Sequence, residues 1–133
     1  MLDIQKCINF LKSKFPNICN YKVEEYNYEE LKLFILVSKT CLISATSKKP
    51  PIEGDIKFFI LWPVNKNIKL ENFKKFFDFY EQFVFNKCKG LYRKTQIIIC
   101  TKGEQINQAL EAGIDLYNRS FKDTRTPILI YGT

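Results

Sequence analysis

Carboxylates and lysines are the groups from which this chain would have to build acid–base or metal chemistry, because its 133 residues include no histidine. That removes imidazole general bases, Ser–His and Cys–His nucleophiles, and the usual zinc sites. The local carboxylate–lysine match is Asp55-Ile56-Lys57, with Glu24 or Glu25 as a second carboxylate. Carboxylates of this kind can hold Mg²⁺, and a neighbouring lysine can stabilise charge at an attacking water. The same three residues also read as a solvated strand entry. A second constellation is Thr101-Lys102-Gly103-Glu104-Gln105, where free N–H groups at a helix start would meet a lysine and an amide. Glu104 opposes a phosphate there, and a capped helix start with no ligand fits as well. The glycines are scattered and form no phosphate-cradling loop. The five cysteines are odd in number and contain no CxxC pair. Cys7, Cys41, Cys88 and Cys100 fall within apolar stripes or strands, which reads as buried free thiols in a reducing compartment. No metal ligand set and no cofactor are expected.

These groups are positioned by a unit running from Asp55 to Lys102. An apolar strand (Ile56–Trp62) leads to a long helix (Lys69–Lys87, stopped at Gly90), then to a buried strand (Ile97–Thr101). This is a βαβ unit with a right-handed crossover. Leu70, Phe73, Phe76, Phe77, Tyr80, Phe83 and Val84 make the apolar face of the helix. Phe79 falls on the polar face, where Glu71 and Lys75 form an i,i+4 pair. Upstream, Asp3 caps a helix reaching Phe15, whose stripe is Ile4, Cys7, Ile8, Leu11 and Phe15, and Pro16 stops it. YKVEEY reads as an edge strand. Tyr28–Phe34 reads as a short helix capped from Asn27, with a strand through KLFILVS as the competing reading. Thr40–Ser47 is a strand paired antiparallel with Ile56–Trp62, across the turn-rich Lys48–Gly54, and Pro63 ends the second strand. Downstream come a helix over Glu104–Ala112 closed by Gly113, a strand over Ile114–Phe121 and a last strand over Pro127–Tyr131.

The length fits one domain covering residues 1–133, and the 46% apolar content supports an ordinary core. Neither a signal peptide nor a membrane span is expected. The net charge is +7, almost all of the excess carried by lysine. Such a balance suits contact with phosphates, although a lysine-rich composition also solvates a surface. On charge alone, Lys48 and Lys49 are candidate phosphate contacts.

An open mixed sheet of about four to six strands, preceded by a helix and completed by βαβ elements, is the layout of the restriction-endonuclease-like three-layer α/β fold. Active members carry their carboxylates and lysine on the strand matching Ile56–Trp62. Its centre here reads Phe58-Phe59-Ile60-Leu61. The order of features resembles the N-terminal jaw domain of the shared fifth subunit of eukaryotic RNA polymerases. The resemblance runs through VEEYNYEELKLF, TCLISATSKKPPIEGD, IKFFILWPVNKNIKLENFKKF, TQIIICTKGEQINQAL and SFKDTRTPILIYGT. It implies a nuclease-like fold without nuclease activity, lying beside downstream duplex DNA. It further implies the large polymerase subunits as partners, backbone contacts to DNA, and a nuclear location in a eukaryotic cell, otherwise a cytoplasmic one. The positions matching the family's DNA-side loop are Lys102, Gly103, Gln105 and Asn107. Family members carry a second, smaller C-terminal domain, which would begin where this sequence stops at Thr133, so an isolated jaw or a divergent or viral version is expected.

Two other readings stand beside it. One is a metal-dependent nuclease using Asp55 and Lys57. The other is a nuclease-fold interaction module that uses Phe79 or Phe85 for contact.

Overall fold

The middle strands of the chain are nearly continuous apolar runs because both faces of the sheet are covered. The computed structural model describes residues 4–14, 18–40, 56–64, 68–102, 108–121, 124 and 126–132. The elements are α1 (Ile4–Lys14), β1 (Ile18–Tyr28), β2 (Leu31–Thr40), β3 (Phe58–Val64), α2 (Leu70–Cys88), a 3-10 turn (Tyr92–Lys94), β4 (Thr95–Lys102), α3 (Gln108–Ser120) and β5 (Ile128–Gly132). The strands form one sheet in sequence order, β1-β2-β3-β4-β5. β1 pairs antiparallel with β2, and β2 with β3; β3–β4 and β4–β5 are parallel. Only β2 therefore runs against the others.

The sheet is the middle of three layers. On one face, Cys7, Ile8 and Leu11 of α1 pack against Leu36, Phe59, Leu61, Ile98 and Cys100. On the other, α2 and α3 cover Leu33, Ile35, Phe58, Ile60, Trp62, Ile97 and Ile99. Alternation along β2 and β3 supplies both faces, as a period of two requires. Trp62 stacks on Phe76 at 4.6 Å and meets Phe73 edge-on at 5.0 Å, tying β3 to α2.

The α/β class, the mixed sheet and the Asp55–Lys102 unit follow the sequence reading, and four details differ. Of the two readings of residues 28–38, the strand through KLFILVS holds and the short helix does not: residues 31–34 belong to β2, and β1 turns into it at Glu29–Glu30, with Glu29 at φ 54. The Leu33/Ile35 and Phe34/Leu36 alternation pairs with β1 and buries against both helical layers, and this outweighs the cap signal at Asn27. The antiparallel neighbour of β3 is thus β2; residues 41–55 lie outside the described ones. Pro63 lies inside β3, opposite Cys100 of β4. The β2–β3 pairing has ended by then, at Leu61 with Phe34, so a missing N–H is tolerated.

The third difference is Gly113, which does not close a helix. It sits within α3, and residues 114–120 continue that helix where a strand was expected. A Cβ there would lie 2.4–2.5 Å from ring atoms of Phe73, so the glycine lets α3 approach α2. The fourth is Phe79, which is buried. Its ring lies 5.9 Å from Tyr26 and 5.8 Å from Tyr28, both on β1. β1 extends under the side of α2 that the helical wheel leaves polar.

Candidate nucleic-acid interface

Parallel strands in an open α/β sheet present ligand sites at their carboxyl ends. Here those ends are Val64 of β3, Lys102 of β4 and Gly132 of β5, with Lys102 level with Gly132. Lys102 therefore ends the strand between two parallel neighbours. Gly103, Gln105 and Asn107, and also Lys48 and Lys49, lie outside the described residues.

The β1–β2 turn reaches the same end of the sheet, since β2 begins where β3 finishes. The turn carries Glu29 and Glu30. Lys75 of α2 donates to Glu30 Oε1 at 2.6 Å and lies 3.8 Å from Glu29. Lys75 thus bonds to the hairpin, and its expected partner Glu71 acts on it only as a more distant charge. The Lys75 hydrogen bond is the main reason the Glu30 carboxyl sits below its ordinary value, and the same bond raises Lys75. Asn72 adds a longer contact to Glu30 at 3.5 Å, and its Oδ1 accepts the Lys69 N–H at 2.9 Å where α2 starts. The turn's carboxylates are thereby partly neutralised.

Of the carboxylate–lysine grouping read from the sequence, Lys57 and the two glutamates are not brought together. Asp55 lies outside the described residues. Lys57 is exposed just before β3, and its N–H bonds to the Lys94 carbonyl at 2.8 Å. Glu24 pairs with Ile35, which pairs with Ile60. It is thus three residues along and two strands across from Lys57, roughly 10 Å in each direction. Glu24 instead accepts from Tyr26 Oη at 3.0 Å, and Glu25 pairs with Lys32 at 2.7 Å. Between them, Phe58, Phe59, Ile60 and Leu61 fill the centre of β3 and are buried. Among the described residues no group of three or more His, Cys, Asp or Glu side chains could hold a metal ion.

The sequence reading missed a buried hydroxyl chain beneath α2. Tyr80 Oη lies 2.6 Å from Thr95 Oγ1 and 3.2 Å from Tyr117 Oη, and Tyr117 Oη lies 2.9 Å from Thr124 Oγ1. Thr95 also donates to the Tyr92 carbonyl at 2.8 Å. Burial, with Tyr80 beside it, pushes the Tyr117 hydroxyl well above its ordinary value. Each hydroxyl is satisfied within the chain, so the group binds α2, β4 and α3 together and presents nothing to a substrate. No spacing in the sequence announces it, because the contacts span three elements. The thiol contact between Cys7 on α1 and Cys100 on β4 is of the same kind: both are buried, and Cys100 is raised first by its hydrogen bond with Cys7 and then by burial.

No family model, no curated protein and no solved structure matches this chain.

Proposed function

We propose that the chain is a non-catalytic domain of the restriction-endonuclease-like fold that serves as the jaw of a DNA-directed RNA polymerase beside downstream duplex DNA. The observation that carries this reading is β3. A nuclease of this fold would hold its metal there, and the strand is buried and apolar from Phe58 to Leu61. The three layers, with a helix before a mixed sheet and a βαβ unit completing it, support the reading. The net charge of +7 suits contacts to the phosphate backbone that do not depend on base sequence. Lys102 and the segment after it, with Gly103, Gln105 and Asn107, would face the duplex, as would Lys48 and Lys49. The implied partners are the large polymerase subunits, and in a eukaryotic cell the place of action is the nucleus.

Co-purification tests the assignment. The tagged protein, expressed in its own cells, should bring down the two largest polymerase subunits at constant stoichiometry through a salt wash. Recovery without them sinks it. A Mg²⁺ or Mn²⁺ cleavage assay addresses the nuclease reading: cleavage lost in Asp55→Ala would replace the jaw with an enzyme. One observation favours a contact role beyond DNA, namely that Phe85 on α2 is 76% exposed. If that ring docks on a partner, Phe85→Ser should reduce subunit recovery without lowering the melting temperature.

A further inference from the structure

The opposite end of the sheet carries a concentration of charge. Residues 82–103 contain no aspartate or glutamate, and they include Lys87, Lys89, Arg93, Lys94 and Lys102. The first four lie within a segment that doubles back at the end of α2. The Gly90 N–H bonds to the Val84 carbonyl at 3.1 Å, the Leu91 N–H to Cys88 at 2.9 Å, and the Lys94 N–H to Leu91 at 3.0 Å. Lys57, leading into β3, joins them through its backbone bond to Lys94 at 2.8 Å. Both Lys57 and Lys94 are close enough to Cys88 to act on its thiol, which burial nonetheless pushes up. Five cations from three elements therefore gather on one rim, where β3 and β4 begin. Lys57, Lys87, Lys89 and Arg93 are exposed and Lys94 is half-buried.

We propose that this amino-end rim is a second binding surface for duplex nucleic acid, taking the phosphate backbone across Lys57, Lys87, Lys89, Arg93 and Lys94. Cations at the last turn of a helix can simply complement its dipole, and Lys87 and Lys89 fit that account. Lys57, Arg93 and Lys94 do not, because the strand entry and the 3-10 turn deliver them. The occupant is a repeating anion and not one small molecule. The cations are spread along an edge, whereas the cleft between α2 and α3 lies elsewhere, lined by Leu70, Ala112, Asp115, Leu116 and Arg119. Glu81, which acts on the Tyr92 hydroxyl, borders the rim on its helical side and limits the footprint there. The inference rests on the nucleic-acid contact proposed above, and not on polymerase membership.

Fluorescence anisotropy with a mixed-sequence duplex of about 20 base pairs, from about 50 to 200 mM salt, tests it on the full chain. The variant is Lys87→Gln/Lys89→Asn/Arg93→Gln; asparagine suits position 89, whose φ is 53. Loss of three phosphate contacts should lower the slope of log Kd against log salt by about 2 to 3 and weaken binding roughly tenfold or more at the lowest salt. Lys69→Gln/Lys74→Gln, on the other end of α2, should keep both. If the triple variant fails to fold, Lys87→Gln/Lys89→Asn and Arg93→Gln are measured separately, with slope losses of about 2 and 1. Wild-type affinity and slope in the neutralised rim overturn the inference. If Lys102→Gln alone abolishes binding while the rim variant binds normally, the carboxyl-end contact stands and this one falls. No duplex binding by the wild type at the lowest salt overturns both. A rim that instead binds phosphatidylserine vesicles, with duplex affinity unchanged on neutralisation, also overturns it.

Discussion

Phe79 and Phe85 lie six positions apart on α2, and sequence periodicity offers either as a contact residue. Their surroundings separate them. Phe79 stacks on Phe83 at 5.8 Å and is 8% exposed, whereas Phe85 is 76% exposed. Truncating a buried phenylalanine costs its transfer energy and leaves a cavity, about 3–5 kcal/mol for Phe→Ala. Phe79→Ala should therefore lower the urea midpoint strongly. Phe85→Ser should change stability by no more than about 0.5 kcal/mol. Equal midpoints for the two variants would contradict the packing. Why periodicity misplaces Phe79 is a matter of neighbours: α2 meets β1 on one flank and α3 on the other, so its buried arc is wider than one stripe. Gly113 is misread for a related reason. A glycine can end a helix or admit a neighbour, and the Phe73 ring that decides between them is 40 positions away in sequence.

At the scale of elements, α2 is legible from its own residues: its periodic aromatics and Gly90 give its extent to within a residue or two. β3 and β4 are legible because doubly covered strands are continuous apolar runs. β2 is harder, since Asn27 and Glu30 imitate a helix start and the competing evidence is pairing with β1. The tie between α2 and the hairpin is not legible at all, because Lys75 has a carboxylate four residues earlier on its own helix and chooses two on the β1–β2 turn. That choice has a pH signature. Glu30 is held below its unfolded value by Lys75, so its contribution is present above the unfolded carboxylate range and fades as pH falls through the lower, folded one. The pair is exposed, so the effect is small and screened by salt. Glu30→Gln should melt below the wild type at neutral pH, and the two melting temperatures should converge as the pH falls below the ordinary carboxylate range. A gap that persists in acid, measured by calorimetry at low salt, would mean the glutamate acts through packing.

The whole molecule lacks histidine, and this shapes the pH dependence of its stability. No side chain of ordinary pKa titrates between the carboxylates and the thiols, so side-chain ionisation should leave the unfolding free energy nearly level from about pH 6 to 8. Above that range the buried acids take over. Cys100 is raised by its hydrogen bond with Cys7 and then by burial, Cys88 by burial, and Tyr117 by burial with Tyr80 beside it. In the unfolded chain the thiols ionise at about 8.5 and tyrosine at about 10, while the folded groups hold their protons to higher pH. The native state then binds more protons than the unfolded one, so stability is fully present below those unfolded values and declines as pH rises past them. Each group adds up to about 1.4 kcal/mol per pH unit to the decline. Tyr117→Phe separates this linkage from simple loss of contacts. It removes bonds to Tyr80 and Thr124, costing about 1 kcal/mol at neutral pH, yet above about pH 10 its stability should fall less steeply than that of the wild type. Urea titrations with reductant present, at steps from neutrality to about pH 10.5, give both slopes. Parallel alkaline limbs for the two proteins would show that the Tyr117 hydroxyl ionises as readily folded as unfolded, and that the hydroxyl chain under α2 is open to water.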